Sequence, residues 1–177
     1  MRIVAGSLKG HEFSSPSGHK THPMSEKVRG AIFNILGDIE GLEVLDAYAG
    51  SGAIAFEALS RGAKFATLID NDKNAHFCAA DNVKKLGLQN TAKVTMANIS
   101  SWVDNNKAKQ FDIIFCDPPY DAVKQSRISE VAELLKNNGL LVVSLPPTEK
   151  LNLRGNFMLE QQKKYGDATL AFYRKTG

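Results

Sequence analysis

The chain has 177 residues, 43% of them hydrophobic and 23% charged, which suits one domain with a sizeable core. No apolar run approaches the roughly 20 residues that cross a bilayer. Met1-Arg2-Ile3-Val4-Ala5-Gly6 leads into polar residues rather than an apolar signal core, so the expectation is a cytoplasmic protein with no membrane partner. The formal net charge is only +3, but its placement is uneven. Residues 1–30 hold Arg2, Lys9, Lys20, Lys27 and Arg29 against Glu12 and Glu26, and so carry the whole excess.

Residues 1–24 read as a small basic extension, and 25–177 as the core of a single domain. Strand-like pieces at 2–5 and 11–13 flank a turn at Ser7–Gly10 and suggest a hairpin. Its charge suits a phosphate backbone; a merely solvated arm is the alternative. His11, His19 and His22 are irregularly spaced, with no cysteine or acidic cluster, so no metal is expected. Ser25 looks like the N-cap of a helix with Val28, Ala31, Ile32, Ile35 and Leu36 at helical spacing, ended by Gly37 or Gly41.

From there strands and helices alternate. Strands are expected at 43–47, 65–70, 93–97, 111–116 and 140–145. Helices are expected at 53–60, from the Asp72 cap to about Leu86, and near 126–136. Two further strands, 158–164 and 168–174, flank a turn at Tyr165-Gly166-Asp167 and must return as a hairpin. This order gives an α/β fold: a Rossmann-like, mostly parallel seven-stranded sheet with an antiparallel C-terminal strand and helices on both faces. Cys78 and Cys116 both read as buried free thiols in a reducing compartment.

Three strand ends carry the candidate chemistry. Asp46-Ala47-Tyr48-Ala49-Gly50-Ser51-Gly52 is a strand, a glycine turn and a helix start. It lacks the third glycine of a dinucleotide fingerprint, and Asp46 would repel a pyrophosphate while tolerating a cation. A tight β–α turn with no ligand is the alternative. Asp70 ends the next strand about 20 residues later, where a carboxylate takes ribose hydroxyls or simply faces solvent. Asn98 follows the third strand, placed either for an adenine edge or as a helix cap. Phe111–Cys116 then runs into Asp117-Pro118-Pro119-Tyr120. Two prolines stiffen that turn. The Asp117 carboxylate and Pro118 carbonyl can accept from a flat NH2 group, and Tyr120 can stack on its ring.

Asp46–Gly52, Asp70 and Asp117–Tyr120 together resemble the class I S-adenosylmethionine-dependent amino-methyltransferases. The basic Arg2–Phe13 piece, the segment from His22 to Leu36, Glu57–Ala63, Tyr165-Gly166-Asp167 and Phe172-Tyr173 narrow the resemblance to bacterial small-subunit ribosomal RNA guanine-N2 methyltransferases of the RsmD type. His22, Met24, Gly30, Asn98 and Ser144 depart from that pattern. The resemblance implies S-adenosylmethionine as cofactor, held by Asp46, Ala49, Gly50, Gly52, Asp70, Asn71, Asn98, Ile99 and Asp117. It implies a catalytic group of Asp117, Pro118 and Tyr120, with Lys9, Lys20, Lys27, Arg29 and Tyr120 on the RNA. The implied substrate is 16S rRNA, at guanine 966, within a small subunit or assembly intermediate, and the implied state is a monomer without metal. Methylation of adenine N6, cytosine N4 or a glutamine amide uses the same tetrapeptide logic. A non-catalytic RNA-binding assembly protein is the remaining alternative.

Overall fold

Ser25 does start the first helix: its side chain accepts from the Val28 amide, and α1 spans Glu26–Leu36. A computed structural model describes residues 1–16, 24–119, 124–153, 155–166 and 168–177. After α1 come β1 (Glu43–Asp46), α2 (Ala53–Ser60), β2 (Phe65–Asp70), α3 (Lys73–Lys85), β3 (Ala92–Met96), α4 (Ile99–Asp104) and β4 (Phe111–Cys116). The chain closes with α5 (Gln125–Ala132), β5 (Leu135–Leu145), β6 (Phe157–Tyr165) and β7 (Ala168–Lys175). Asp72 caps α3 through the Ala75 amide, as its sequence position suggested. Among the described residues, no helix is long and apolar enough to cross a membrane.

The seven strands form one sheet in the order β3-β2-β1-β4-β5-β7-β6. β1 to β5 are mutually parallel, and β7 runs antiparallel to both β5 and β6. The order reverses between β1 and β4, and open α/β sheets bind ligands beyond the carboxyl ends of strands at such a switch. Parallel strands buried on both faces need apolar residues at every position, and Val44-Leu45 and Phe115-Cys116 fit that need. One face carries Val44, Leu68, Phe115 and Val142 against α1, α2 and α3. The other carries Leu45, Ile69, Ile114 and Val143 against α4 and α5.

Several sequence expectations shift, and α4 is a helix that the expected order of elements did not include. The helical pattern at 126–136 ends at Ala132, because Leu135 enters the sheet opposite Phe111. The pairing then jumps to Ile113↔Leu140, so residues 136–139 form a bulge. Asn138 turns it at φ 64. Gly139 is required inside it, since a Cβ there would sit 2.9 Å from the Lys136 carbonyl oxygen. Cys116 is buried as expected, but Cys78 is half-buried at the surface of α3, its thiol directed at the Ser14 carbonyl.

Residues 1–16 fold as a single antiparallel bridge, Arg2↔Glu12, rather than as two strands. What anchors them is α2. The Glu57 carboxylate is fully buried and accepts from the Val4 amide at 2.8 Å, the Ala5 amide at 3.0 Å and Arg61 Nε at 2.9 Å. Arg29 Nε, from α1, approaches the same group at 3.4 Å, while its Nη2 donates to the Arg2 carbonyl at 2.6 Å. Ser60 adds a second clasp: its carbonyl accepts from the Ser7 amide at 2.7 Å and its hydroxyl from the Leu8 amide at 2.9 Å. Gly6 makes the close approach possible, for a Cβ there would lie 1.8 Å from the Ser60 oxygen.

Glu57→Ala should therefore cost about 3–5 kcal/mol of unfolding free energy, because it strands a buried guanidinium. Urea titration of the variant measures this. A midpoint equal to that of the parent protein would show that apolar packing of Ile3 and Phe13 alone holds the N-terminal segment.

Candidate active site

Side chains alternate faces along a strand, so the residue two beyond each member of one cluster points the same way. Val44 leads to Asp46, Leu68 to Asp70, Phe115 to Asp117 and Val142 to Ser144. Three carboxylates and a hydroxyl thus stand on one face of the sheet, at the carboxyl ends of β2, β1, β4 and β5. The parallel register sets their order: Asp46 lies beside Phe115, and Cys116 beside Val143, which places Asp117 next to Ser144. Asp117 and Ser144 line one small cavity with Met24, Ile32, Ile54, Phe115, Cys116, Val142 and Leu170.

Beside these groups the chain turns tightly from β1 into α2. Gly50 and Gly52 both have positive φ, at 54 and 86. The two glycines serve different ends. A Cβ on Gly52 would strike the Phe56 ring at 2.4 Å, whereas one on Gly50 would meet nothing within 4 Å. Gly52 is thus fixed by packing against its own helix, and Gly50 faces open space that a ligand can enter. The Gly50 amide donates to Asp70 Oδ2 at 2.8 Å, and the Asp72 amide donates to Asp70 Oδ1 at 2.8 Å. Asp70 therefore ties the glycine turn to the end of β2 and keeps lone pairs free on both oxygens.

Asp46 is the most constrained of the carboxylates. It is 1% exposed, and neither of its oxygens has a hydrogen-bond partner. Burial, then the nearby Asp117 and Asp70, push its pKa up to about 8; the Ala55 and Tyr48 amides offset part of this without forming hydrogen bonds. Asp117 is raised by burial to about 6, and the Ser144 hydroxyl beside it works the other way by favouring the anion. Burial also raises the Tyr48 phenol to about 12 and lifts the Cys116 thiol, so neither supplies an anion near neutral pH. Among the described residues, no cluster of His, Cys, Asp and Glu could hold a metal ion.

The remaining predicted site residues divide. Ala49 is buried within the glycine turn, its amide bonded to the Ile69 carbonyl. Asn71 is exposed between Asp70 and the α3 cap. Asn98 caps α4, accepting from the Ser100 amide at 3.0 Å, and Ile99 is buried behind it. The cap role uses the Asn98 carbonyl and leaves its amide nitrogen free. Pro118 is buried and Pro119 exposed, continuing the chain from Asp117. Lys9 and Lys27 are exposed. Arg29 is a correction: it is fully buried in the Glu57 cluster, so it cannot meet an RNA phosphate. Its position on the inner face of an amphipathic helix, beside Ile32 and Phe33, was the signal against a surface role. Tyr120, Lys20, His19 and His22 lie outside the described residues.

Two cavity-lining residues, Met24 and Ser144, enter the sequence reading only as departures from the family pattern and not as site residues. Met24 reaches the cavity from the residue before the α1 cap, and Ser144 stands against Asp117. A polar residue ending the apolar run Leu140–Val143 was the available signal for Ser144.

The family model described as conserved hypothetical protein 95 matches residues 1–174. The YlbH protein of Bacillus subtilis strain 168 is 33% identical over 100% of both chains. Ribosomal RNA small subunit methyltransferase D of Escherichia coli K12 is 31% identical, over 99% of this chain and 90% of that protein. The solved structure of the Escherichia coli yhhF protein superposes with a TM-score of 0.89 at 29% identity, covering 99% of this chain and 98% of that one. Fold, strand-end carboxylates and these matches agree, and the chain belongs to the conserved hypothetical protein 95 family of RsmD-type methyltransferases.

Proposed function

We propose that this protein methylates the exocyclic N2 amine of a guanine in 16S rRNA, at guanine 966, using S-adenosylmethionine. The observation that carries the reading is the grouping of Asp46, Asp70 and Asp117 on one sheet face beside an open, positive-φ glycine turn. Family membership supports rRNA as the substrate class, and the choice of guanine N2 rests on the resemblance of Asp117–Tyr120 and the N-terminal segment. The reading places the enzyme in the cytoplasm, acting as a monomer on a small subunit or an assembly intermediate.

S-adenosylmethionine supplies a methyl made electrophilic by its sulfonium, so the residues need only hold the two reactants and receive charge. Asp46 fits a cationic group: its buried oxygens lack partners, and a cation supplies the counter-charge that the fold withholds. Asp70 retains acceptor capacity for ribose hydroxyls, and the Gly50 turn admits a ligand close to the backbone. At Asp117 the incoming amine meets an acceptor. The N2 lone pair is delocalised into the guanine ring, so hydrogen bonds to Asp117 and Pro118 orient the amine and localise that pair. The rate gain comes from positioning and electrostatics. After transfer the surplus proton leaves through Asp117 or directly to water. Tyr120 stacks on a base already splayed from an RNA loop. Lys9, Lys20 and Lys27 grip the phosphates.

Asp117→Ala should lower methyl transfer roughly 100-fold or more while cofactor affinity stays within the same order of magnitude. Radiolabelled transfer to 16S rRNA, followed by nucleoside analysis, reads both rate and product. Near-parental turnover removes the acceptor role, and N6-methyladenosine as product replaces guanine with adenine.

Cofactor binding should depend on pH. With its folded pKa raised to about 8, Asp46 holds a proton at neutral pH. That proton's contribution to the stability of the ligand-free fold is fully present below about pH 4 and is lost as pH rises through about 8. A cationic ligand prefers the ionised group, so its affinity should rise by up to about tenfold per pH unit between pH 6 and 8, then level off. Calorimetry in buffers of different ionisation enthalpy should detect the released proton. Asp46→Asn should bind weakly and without pH dependence. A flat profile in the parent protein would show that Asp46 is already ionised.

Removing Lys9 and Lys27 together should make the salt dependence of RNA binding shallower, by about 0.7 in log–log slope for each phosphate that is no longer neutralised. Filter binding over a salt series measures it. An unchanged slope would move the RNA grip off this segment.

A further inference from the structure

We propose that Ser144 is the positioning residue for Asp117: its hydroxyl donates to the carboxylate and fixes which oxygen faces the incoming amine. The inference rests on the methyl-transfer reading and adds a residue to it.

Four observations carry it. The β4–β5 register pairs Cys116 with Val143, so Asp117 and Ser144 occupy the next station on adjacent parallel strands. Alternation puts both on the face of Phe115 and Val142 rather than of Cys116 and Val143. Both line the same cavity, whose other described walls are Met24, Ile32, Ile54, Val142, Leu170, Phe115 and Cys116, the last through its backbone because its side chain faces the other side of the sheet. Among the described residues, Ser144 thus brings the only hydroxyl to that lining. Finally, Ser144 is 4% exposed on a strand whose neighbours Val143 and Leu145 are fully buried or nearly so. A serine hydroxyl confined there needs an acceptor, and the Asp117 carboxylate is beside it.

The proposed chemistry gives such a group a use. A carboxylate that accepts from an exocyclic amine must stay ionised and must not rotate. Burial works against ionisation of Asp117, and the Ser144 hydroxyl works for it. Among the described residues, the charged and titratable groups near this position are Asp46 from β1, itself next to Asp70 from β2, and, from the opposite face of the sheet, the buried Cys116 thiol on β4. From α1 and α2 only Ile32 and Ile54 reach the cavity, so no cation from those helices balances the charge. Ser144 holds the carboxylate in place without adding a further negative charge.

The test compares Ser144→Ala with Ser144→Thr. In Ser144→Ala the acid limb of the kcat–pH profile should move up by about one unit, giving about a tenfold loss of kcat on the acid side of the limb. KM for the cofactor should stay near the parental value. Ser144→Thr keeps the hydroxyl and should restore the parental limb. A second readout needs no turnover: carboxyl-labelled aspartate, assigned by comparison with Asp117→Asn, should show the Asp117 resonance titrating at higher pH in Ser144→Ala. If the resonance shifts but no methyl transfer is found in any form, the pairing stands and the methyl-transfer reading falls. If transfer is present and neither limb nor resonance moves in Ser144→Ala, the proposal is overturned.

Discussion

The site depends on carboxylates held where water cannot reach them well. Asp46 is shut off from solvent and makes no full hydrogen bond, although the Ala55 and Tyr48 amides favour its anion; Asp117 and Asp70 lie close enough to oppose its ionisation. A fold does not place an unpartnered carboxylate at a strand end without cost, since burying one favours the neutral form. The cost is offset when the group has a ligand to meet. A sulfonium or ammonium brought to Asp46 finds a counter-charge in a setting of low dielectric, where the attraction is stronger than in water. Asp117 differs in degree. It is partly exposed and nearer its ordinary range, which suits the proposed role of accepting from a substrate that arrives from solvent.

A second buried carboxylate is treated in the opposite way. Glu57 sits in a helix whose residues are all buried, yet backbone amides and two guanidinium groups surround it. These donors occupy its oxygens, so it serves as a fastener rather than a reactive group. It joins residues 1–5, α1 and α2 at one point. That joint delivers the N-terminal segment and the start of α1 to the edge of the cavity, where Met24 forms part of the wall. The arm proposed to grip RNA and the pocket proposed to methylate it are thereby mechanically linked.

Most of the fold was legible because its signals were local. The Ser25 and Asp72 caps, the glycine turn and the apolar strands each announce themselves within a few residues, and β2, β4 and α2 have the bounds their sequence suggests. The errors came from long-range pairing. Nothing in residues 133–139 reveals that Phe111 will draw Leu135 into the sheet, and so helical spacing misled there. Arg29 was misjudged because net charge was read without helical phase. Asn98 showed the limit of spacing arguments, since one position serves equally as a helix cap and as a ligand contact, and the structure uses its carbonyl for the cap.

The residue at the end of β5 bears directly on the ionisation of Asp117. Asp46 and Asp117 already compete for ionisation across one face of the sheet. A further carboxylate at position 144 would oppose the ionisation of both. A neutral apolar residue would leave Asp117 to burial alone. A hydroxyl avoids both outcomes: it supports the anion and adds no charge. With Asp46 protonated until a cation arrives, the ligand-free site can keep one carboxylate ionised at the position where the proposed mechanism receives an amine.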